Sequence, residues 1–209
     1  MRFVIGKWGL EGEKVRRLWA SRALSAGPDF KGRGRHDRYE LELRPLAGWT
    51  PAGLFRWAEE EILHYRVFPP SRMKALVDGP GARVAAGVTI LQGVYVGPFR
   101  LQMADRVLEV FEGEDGREQW AGFTYGTLEG HAERGIETFR IVREKETAKV
   151  FYSMEAWSQP GHWLTRLFYL WARAVQKKAG REAIRFMEDK LKAVSRSGNN
   201  PNPVLSEVG

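Results

Sequence analysis

Glu137 is the side chain in this sequence best placed to do chemistry. It precedes Phe139 and Ile141 at alternate positions, so a β-strand here puts its carboxylate on an apolar face. An isolated buried charge is costly and is normally paired. Arg106 has a similar position, because it alternates with Leu108 in another predicted strand. We therefore expect Arg106 and Glu137 to meet on the enclosed side of a sheet.

Tyr125 and Thr127 share a strand face with Phe123 and add two hydroxyls to this polar group. At the end of an apolar cavity, such a group can orient the head group of a ligand. It can also act in catalysis, with Glu137 as general acid or base, Tyr125 as hydroxyl donor and Arg106 stabilising negative charge. A structural salt bridge is the alternative to both. The sequence leaves the three interpretations open.

His131 is a third catalytic candidate beside Glu137 and Tyr125. It follows Gly130 in a predicted hairpin turn, where an imidazole can reach over a cavity mouth and transfer a proton. A histidine that only stabilises a surface turn is the more common case. The other histidines have no shared metal-ligand spacing, and no zinc motif, phosphate-binding loop or Gly-X-Ser-X-Gly elbow occurs. We expect no metal and no cofactor.

The elements that must position these residues are mostly strands. A strand at 39–43 and a helix that begins at Thr50 and Pro51 are followed by a short helical turn at 71–76. Gln92 and Gly93 predict one of several tight hairpins, so adjacent strands should pair antiparallel. Six runs rich in β-branched and aromatic residues then suggest a meander of strands at 83–91, 94–103, 106–111, 119–128, 136–143 and 149–157.

A final helix of about thirty residues is predicted to begin at Ser158 and Pro160. Gly180 is expected to weaken or bend it. Its predicted apolar face consists of Leu164, Leu167, Phe168, Trp171, Ala174 and Val175. A hairpin-rich sheet must cover one face, and this helix is the obvious cover. The predicted fold is α+β, a helix-grip in which a curved antiparallel sheet of about seven strands packs on the long C-terminal helix.

A gap between such a sheet and its helix can hold an apolar or amphipathic ligand. Binding of a small molecule of this kind is therefore the first functional hypothesis, and an enzyme in the same cavity is the alternative. The predicted ligand contacts are Arg106, Tyr125, Thr127, Glu137, Phe139 and Trp171.

Three motifs support a family resemblance. Residues 122–131 read Gly-Phe-Thr-Tyr-Gly-Thr-Leu-Glu-Gly-His, residues 135–139 read Gly-Ile-Glu-Thr-Phe, and residues 156–160 read Ala-Trp-Ser-Gln-Pro. Together with Arg106-Val107, they resemble the uncharacterised "domain of unknown function nineteen-ninety" family over about residues 36–187. The resemblance implies a Bet v 1-like or START-like fold and no assigned activity. This chain departs from the family pattern at Glu129, Ile136, Trp157 and Gln159.

The departure at Ile136 has a chemical consequence, because the family pattern has the first of two paired glutamates there. Only Glu137 remains in this sequence, which argues against any mechanism that needs both acids.

Length and composition set the remaining limits. The 209 residues fit one helix-grip domain at 36–194, with a helical extension at 1–35 and a tail at 195–209 that we expect to be disordered. The absence of Cys excludes disulfides and thiol nucleophiles. No apolar run is long enough for a membrane span and no secretory signal is recognised, so a cytoplasmic location is expected.

The net charge of +7 raises a third functional alternative, an electrostatic binder of nucleic acid or acidic surfaces. The charge is spread along the chain, which argues against nucleic acid as a partner. The oligomeric state is left open.

Overall fold

The computed structural model describes residues 2–4, 13–44, 48–78, 80–96 and 99–196. Three helices are separated by runs of strands, and a short helix precedes the last of them. In chain order the elements are β1 (Arg2–Val4), α1 (Glu13–Ala20), β2 (Arg35–Leu43), α2 (Pro51–Leu63), β3 (Met73–Asp78), β4 (Thr89–Val96), β5 (Phe99–Glu114), β6 (Glu118–Thr127), β7 (Glu133–Glu144), β8 (Val150–Pro160), α3 (Trp163–Leu167) and α4 (Tyr169–Arg196).

One antiparallel sheet contains all the strands. Seven of them follow the order β2-β8-β7-β6-β5-β4-β3, and β1 pairs with β5 outside this path. The main core lies between one face of the sheet, α2 and the C-terminal half of α4. It includes Ala58, Ile62, Phe123, Phe139, Ile141, Tyr152, Met187 and Leu191. The predicted α+β helix-grip fold is confirmed.

The opposite, convex face of the sheet is covered by α1. Trp19 of α1 is 1% exposed and packs with Leu91, Ala104 and Leu128 of the sheet. After α1, Leu24 forms an isolated antiparallel bridge to Leu128. The segment before β2 is therefore attached to the sheet through both packing and backbone hydrogen bonds.

The first half of the predicted meander differs from the structure. Gln92 and Gly93 do not form a turn but lie within β4, and the runs predicted at 94–103 and 106–111 are largely one strand, β5. A register shift between Val107 and Glu109 marks a β-bulge in β5. A glycine inside a strand and a bulged residue both resemble strand ends in a sequence, which accounts for the error.

Two helix predictions are also wrong. Residues 71–76 were expected to form a helical turn, but Met73–Asp78 is the edge strand β3. Ser158 was expected to cap the last helix, but it is a buried residue of β8, and helical structure begins only at Trp163.

The predicted apolar face of the last helix is largely exposed. Leu167, Phe168 and Trp171 are 67%, 56% and 57% exposed, whereas Leu164 lies outside the described side chains. The buried residues of α4 lie from near its middle to its C-terminal end and are Gly180, Ala183, Met187 and Leu191. α4 thus packs on the core with its second half, while residues 197–209 of the predicted tail lie outside the described residues.

Gly180 has a packing role in this arrangement. A Cβ atom at this position would lie 2.5 Å from the ring of Tyr39 in β2. Glycine therefore allows α4 to approach the sheet closely at the point where its buried half begins.

Candidate functional site

A cavity of about 210 Å³ lies between the concave face of the sheet and the first half of α4. Trp171, Ala172, Val175 and Gln176 supply the helical wall. Most of the remaining wall is apolar and includes Phe68, Met73, Val94, Leu101, Met103 and Met154. The polar side chains are contributed mainly by the neighbouring strands β2, β6 and β7.

Glu137 and Tyr125 form the centre of the polar wall. They are directly opposed in register on β7 and β6, and the Tyr125 hydroxyl donates a hydrogen bond to Glu137 Oε2. Burial raises the pKa of Glu137 to about 7. Burial and the neighbouring Glu137 charge raise the pKa of Tyr125 well above its ordinary value. Tyr125 therefore remains a hydrogen-bond donor, while Glu137 changes its charge near neutral pH.

A second polar group continues from this pair towards β4 and β5. Tyr65 packs against Tyr125 with ring centroids 6.1 Å apart. Gln92 Nε2 donates to the Tyr65 hydroxyl over 2.8 Å and to Asp105 Oδ2 over 2.5 Å. Asp105 is fully buried, which raises the pKa of its carboxyl well above the ordinary value. The two carboxyl groups, Glu137 and Asp105, are thus connected through Tyr125, Tyr65 and Gln92.

His131 completes this group from the β6–β7 connection and lines the cavity. Its Nδ1 accepts a 2.9 Å hydrogen bond from the backbone N–H of Glu133, and its Nε2 lies 3.6 Å from Asp105 Oδ1. Burial lowers the pKa of His131 to about 4. The ring is therefore neutral at physiological pH.

Arg106 does not join Glu137, and this part of the sequence prediction is wrong. The Arg106 guanidinium donates to the carbonyl of Ala20 over 2.7 Å and to Thr89 Oγ1 over 3.2 Å, on the face covered by α1. Residue Val107, not Arg106, is opposite Tyr125 in register. Since Tyr125 is opposite Glu137, Arg106 and Glu137 lie on opposite faces of the sheet.

Arg106→Ala should therefore leave the pKa of Glu137 at about 7. A cation beside Glu137 would hold this pKa down, and its removal would raise it. The pKa is measured by carboxyl carbon NMR across a pH titration of both proteins. An upward shift in the variant would contradict the placement of Arg106. Unfolding should cost about 1 kcal/mol less, because the hydrogen bond to Ala20 is lost.

Three other sequence candidates have different positions. Trp171 and Thr127 line the cavity, but the Thr127 hydroxyl already bonds with Ser25 Oγ at 2.7 Å and Gly135 N at 3.0 Å. Phe139 is completely buried in the main core and is not part of the cavity wall. The cavity therefore contains Tyr125, Thr127, Glu137, His131 and Trp171 of the predicted set.

Two contacts hold the first half of α4 over the cavity. Arg173 forms a bidentate ion pair with Asp37 of β2, and Gln176 Nε2 donates to Ser158 Oγ of β8 over 2.9 Å. Asp37 is in the same cross-strand row as Glu137, with Ala156 between them. The Arg173 guanidinium is therefore already bound to a carboxylate.

Sequence reasoning missed several polar residues of the site. Asp105 lay between two predicted strands, and Gln92 lay in a predicted turn, so neither was assigned to a sheet face. Asp37 alternates with Tyr39 immediately before the predicted strand at 39–43, and this spacing was the available signal. Tyr65 had no comparable signal, because it follows α2 with a left-handed backbone φ of 52°.

Among the described residues, no helix is both long and apolar enough to cross a membrane. No three of their His, Asp or Glu side chains are arranged to hold a metal ion.

Comparison with known sequences gives two matches. A family model described as "Domain of unknown function (DUF1990)" matches residues 27–186. A "UPF0548 protein" of Dictyostelium discoideum is 36% identical over 128 residues, which are 57% of this chain. The match spans little more than half of the length of that relative, 56%.

Solved structures are similar to this chain at low sequence identity. The protein TTHA0849 from Thermus thermophilus is 11% identical with a TM-score of 0.50, and the match covers 77% of this chain and 99% of that one. A norcoclaurine synthase point mutant from Thalictrum flavum, in complex with a transition-state analogue, is 10% identical with a TM-score of 0.46. That match covers 79% of this chain and 96% of the synthase.

Proposed function

The chain belongs to the DUF1990 family, as residues 122–131 had indicated, and we propose that it binds a small apolar or amphipathic molecule between the sheet and α4. The observation that carries this proposal is the cavity of about 210 Å³. Engineered protein cavities of about 150 Å³ already accept benzene. A space of this size, apolar on most sides and polar on one, suits a single ring with a short polar arm.

The polar wall supports an orienting role for Tyr125 and Glu137. Their side chains face the same space as the apolar groups of α4, and they form one hydrogen-bonded unit. A ligand that reached this unit would exchange hydrogen bonds with it while its apolar body stayed against Met103 and Val175. The catalytic alternative required Arg106 beside Glu137 to stabilise negative charge. Arg106 lies on the other face, so we propose binding and not catalysis.

Titration with 2-phenylethanol tests the proposal. This molecule carries a phenyl ring and a hydroxyl on a two-carbon arm, and saturable binding should shift the backbone NMR signals of Tyr125, Ala156 and Gln176. Ala172→Phe should weaken binding by about tenfold or more, because Ala172 lines the cavity and the new ring fills it.

Ala174→Phe is the matched control, since Ala174 is exposed on the same helix and does not line the cavity. It should bind 2-phenylethanol as the unmodified protein does. Equal binding by both variants, or no saturable binding by the unmodified protein, would contradict the proposal.

A further inference from the structure

The charge of the cavity is opposite to the charge of the protein. The chain contains 33 Lys and Arg against 26 Asp and Glu. The described residues that line the cavity nevertheless include the carboxylates Asp37, Glu133 and Glu137 and not one Lys or Arg. The charged side chains among these lining residues are thus all acidic, although the protein as a whole is cationic.

Glu137 is the lining acidic group for which the described residues provide no basic partner. Its hydrogen-bond partner is the neutral Tyr125, and no ion pair joins it to any Lys or Arg of the described residues. Asp37 differs, because both of its carboxylate oxygens are bound by Arg173. Arg173 also donates to Gln176 over 2.9 Å, so its guanidinium has two partners other than Glu137.

An unused acceptor atom occurs in the acidic part of the cavity wall. Glu133 Oε2 is buried and accepts no hydrogen bond from the described residues, and Glu133 lines the cavity. A buried acceptor is normally satisfied by a protein group or by a bound molecule, water included. A ligand that donates hydrogen bonds therefore suits this part of the cavity.

We propose that the ligand is an amphipathic organic cation, a protonated amine on an apolar body, whose ammonium group binds Glu137 at the acidic end of the cavity. This inference rests on the proposed binding function and specifies its ligand class. An ammonium group provides three donors and no acceptor, which matches a wall of carboxylate oxygens. The apolar body lies against the methionine, valine and tryptophan side chains of the opposite walls.

The acidic wall also disfavours the other two ligand classes. An anionic head group would place like charges together in a largely apolar space, which is unfavourable. A neutral alcohol can donate one hydrogen bond to Glu137 but gains no charge attraction. The expected order of affinity is therefore amine, then alcohol, then carboxylate.

Three probes with the same ring test this order, namely 2-phenylethylamine, 2-phenylethanol and 3-phenylpropionate. Their dissociation constants are measured by NMR titration at about pH 8, above the pKa of Glu137 and below that of the amine. The amine should bind about tenfold more tightly than the alcohol, the factor that a charge-assisted hydrogen bond supplies. The carboxylate should bind more weakly than both.

Glu137→Gln tests whether Glu137 causes the preference for the amine over the alcohol. This variant should reduce the ratio of amine to alcohol affinity to near one, because Gln keeps the acceptor and loses the charge. Glu155→Gln is the matched control on β8, where Glu155 bonds to His36 over 2.7 Å and does not line the cavity. It should retain the full preference for the amine.

The outcomes separate this inference from the proposed function. Equal or tighter binding of the alcohol or the carboxylate would overturn the amine assignment and leave the binding function intact. A full amine preference in Glu137→Gln would overturn the role of Glu137. Failure of all three probes to bind would contradict the binding function itself. The comparison of probes on the unmodified protein needs no variant, so it decides the ligand class even if a variant folds poorly.

Discussion

Glu137→Gln is expected to raise the free energy of unfolding by about 3 kcal/mol at pH 8 and by almost nothing at pH 4. Burial raises the pKa of Glu137 to about 7 in the folded protein, from an ordinary value of 4.5. Each unit of difference corresponds to about 1.4 kcal/mol. Gln keeps the acceptor for Tyr125 and removes the buried charge. The variant therefore retains the stability that the unmodified protein loses when Glu137 becomes charged.

The direction follows from proton binding. Between pH 4.5 and pH 7 the folded protein holds a proton on Glu137 that the unfolded chain has lost. The stability contributed by this group is therefore complete below pH 4.5 and is lost as the pH rises through 7. Burial also raises the pKa of Asp105. This carboxyl group therefore makes the free energy of unfolding fall with rising pH in both proteins. Only the difference between variant and unmodified protein reports on Glu137.

Urea unfolding at several pH values between about 4 and 8 measures the effect. Glu155→Gln, a change of the same type on the opposite side of the sheet, should follow the unmodified protein across the range. If the free energies of unfolding of Glu137→Gln and the unmodified protein differ by the same amount at every pH, burial does not raise the pKa of Glu137 in the folded protein.

Phe139→Ala is expected to lower the free energy of unfolding by about 3–5 kcal/mol, the usual cost of deleting a buried aromatic ring. Phe139 is completely buried and stacks on Phe123 with ring centroids 5.0 Å apart. It also forms an edge contact with Tyr65 at 5.7 Å. Its ring therefore belongs to the packed core, and its removal leaves a space that the surrounding rings do not fill.

This prediction tests whether Phe139 is a core residue or, as the sequence suggested, a ligand contact. The free energy is taken from urea unfolding, and Phe139→Leu, which restores part of the volume, should lose less than Phe139→Ala. A loss below about 1 kcal/mol for Phe139→Ala would show that the ring has an open side, as a cavity residue would.

Much of the fold was predictable from the sequence because its signals are local. Alternation within one strand placed Tyr125 beside Phe123, and Glu137 beside Phe139, on the same faces that the structure gives them. Turn residues between β6, β7 and β8 identified the hairpins there. The order of strands and the final helix then indicated the helix-grip architecture. Each of these inferences uses neighbours that are close in sequence.

The pairing of Arg106 with Glu137 failed because it required the register between strands. Alternation gives the relative faces of residues within a strand, but it does not state which face of one strand matches which face of the next. The β-bulge between Val107 and Glu109 further changes the alternation inside β5. Arg106 and Leu108 therefore share the convex face, while Asp105 and Val107 lie on the concave side.

The error at the last helix has a different physical origin. Hydrophobic periodicity shows that a helix has an apolar face but not whether that face is covered. Leu167, Phe168 and Trp171 form such a face and remain exposed, since the buried residues of α4 begin only at Gly180. The cavity occupies the space that a fully packed helix would have filled. Its presence depends on this tertiary arrangement, which no local pattern reveals.

The pairing of β2 with β8 determines the order in which the chain can fold. Among the sheet's strands β2 has only β8 as a neighbour, and His36 and Glu155, which bond across this pair, are 119 residues apart in sequence. During synthesis β2 emerges before β3 to β8, so its backbone groups stay unpaired until nearly the whole sheet has been made. Closing so long a loop is entropically costly and slow. The charged residues Arg38, Glu40 and Glu42 along β2 would disfavour pairing of the unpaired strand with other chains.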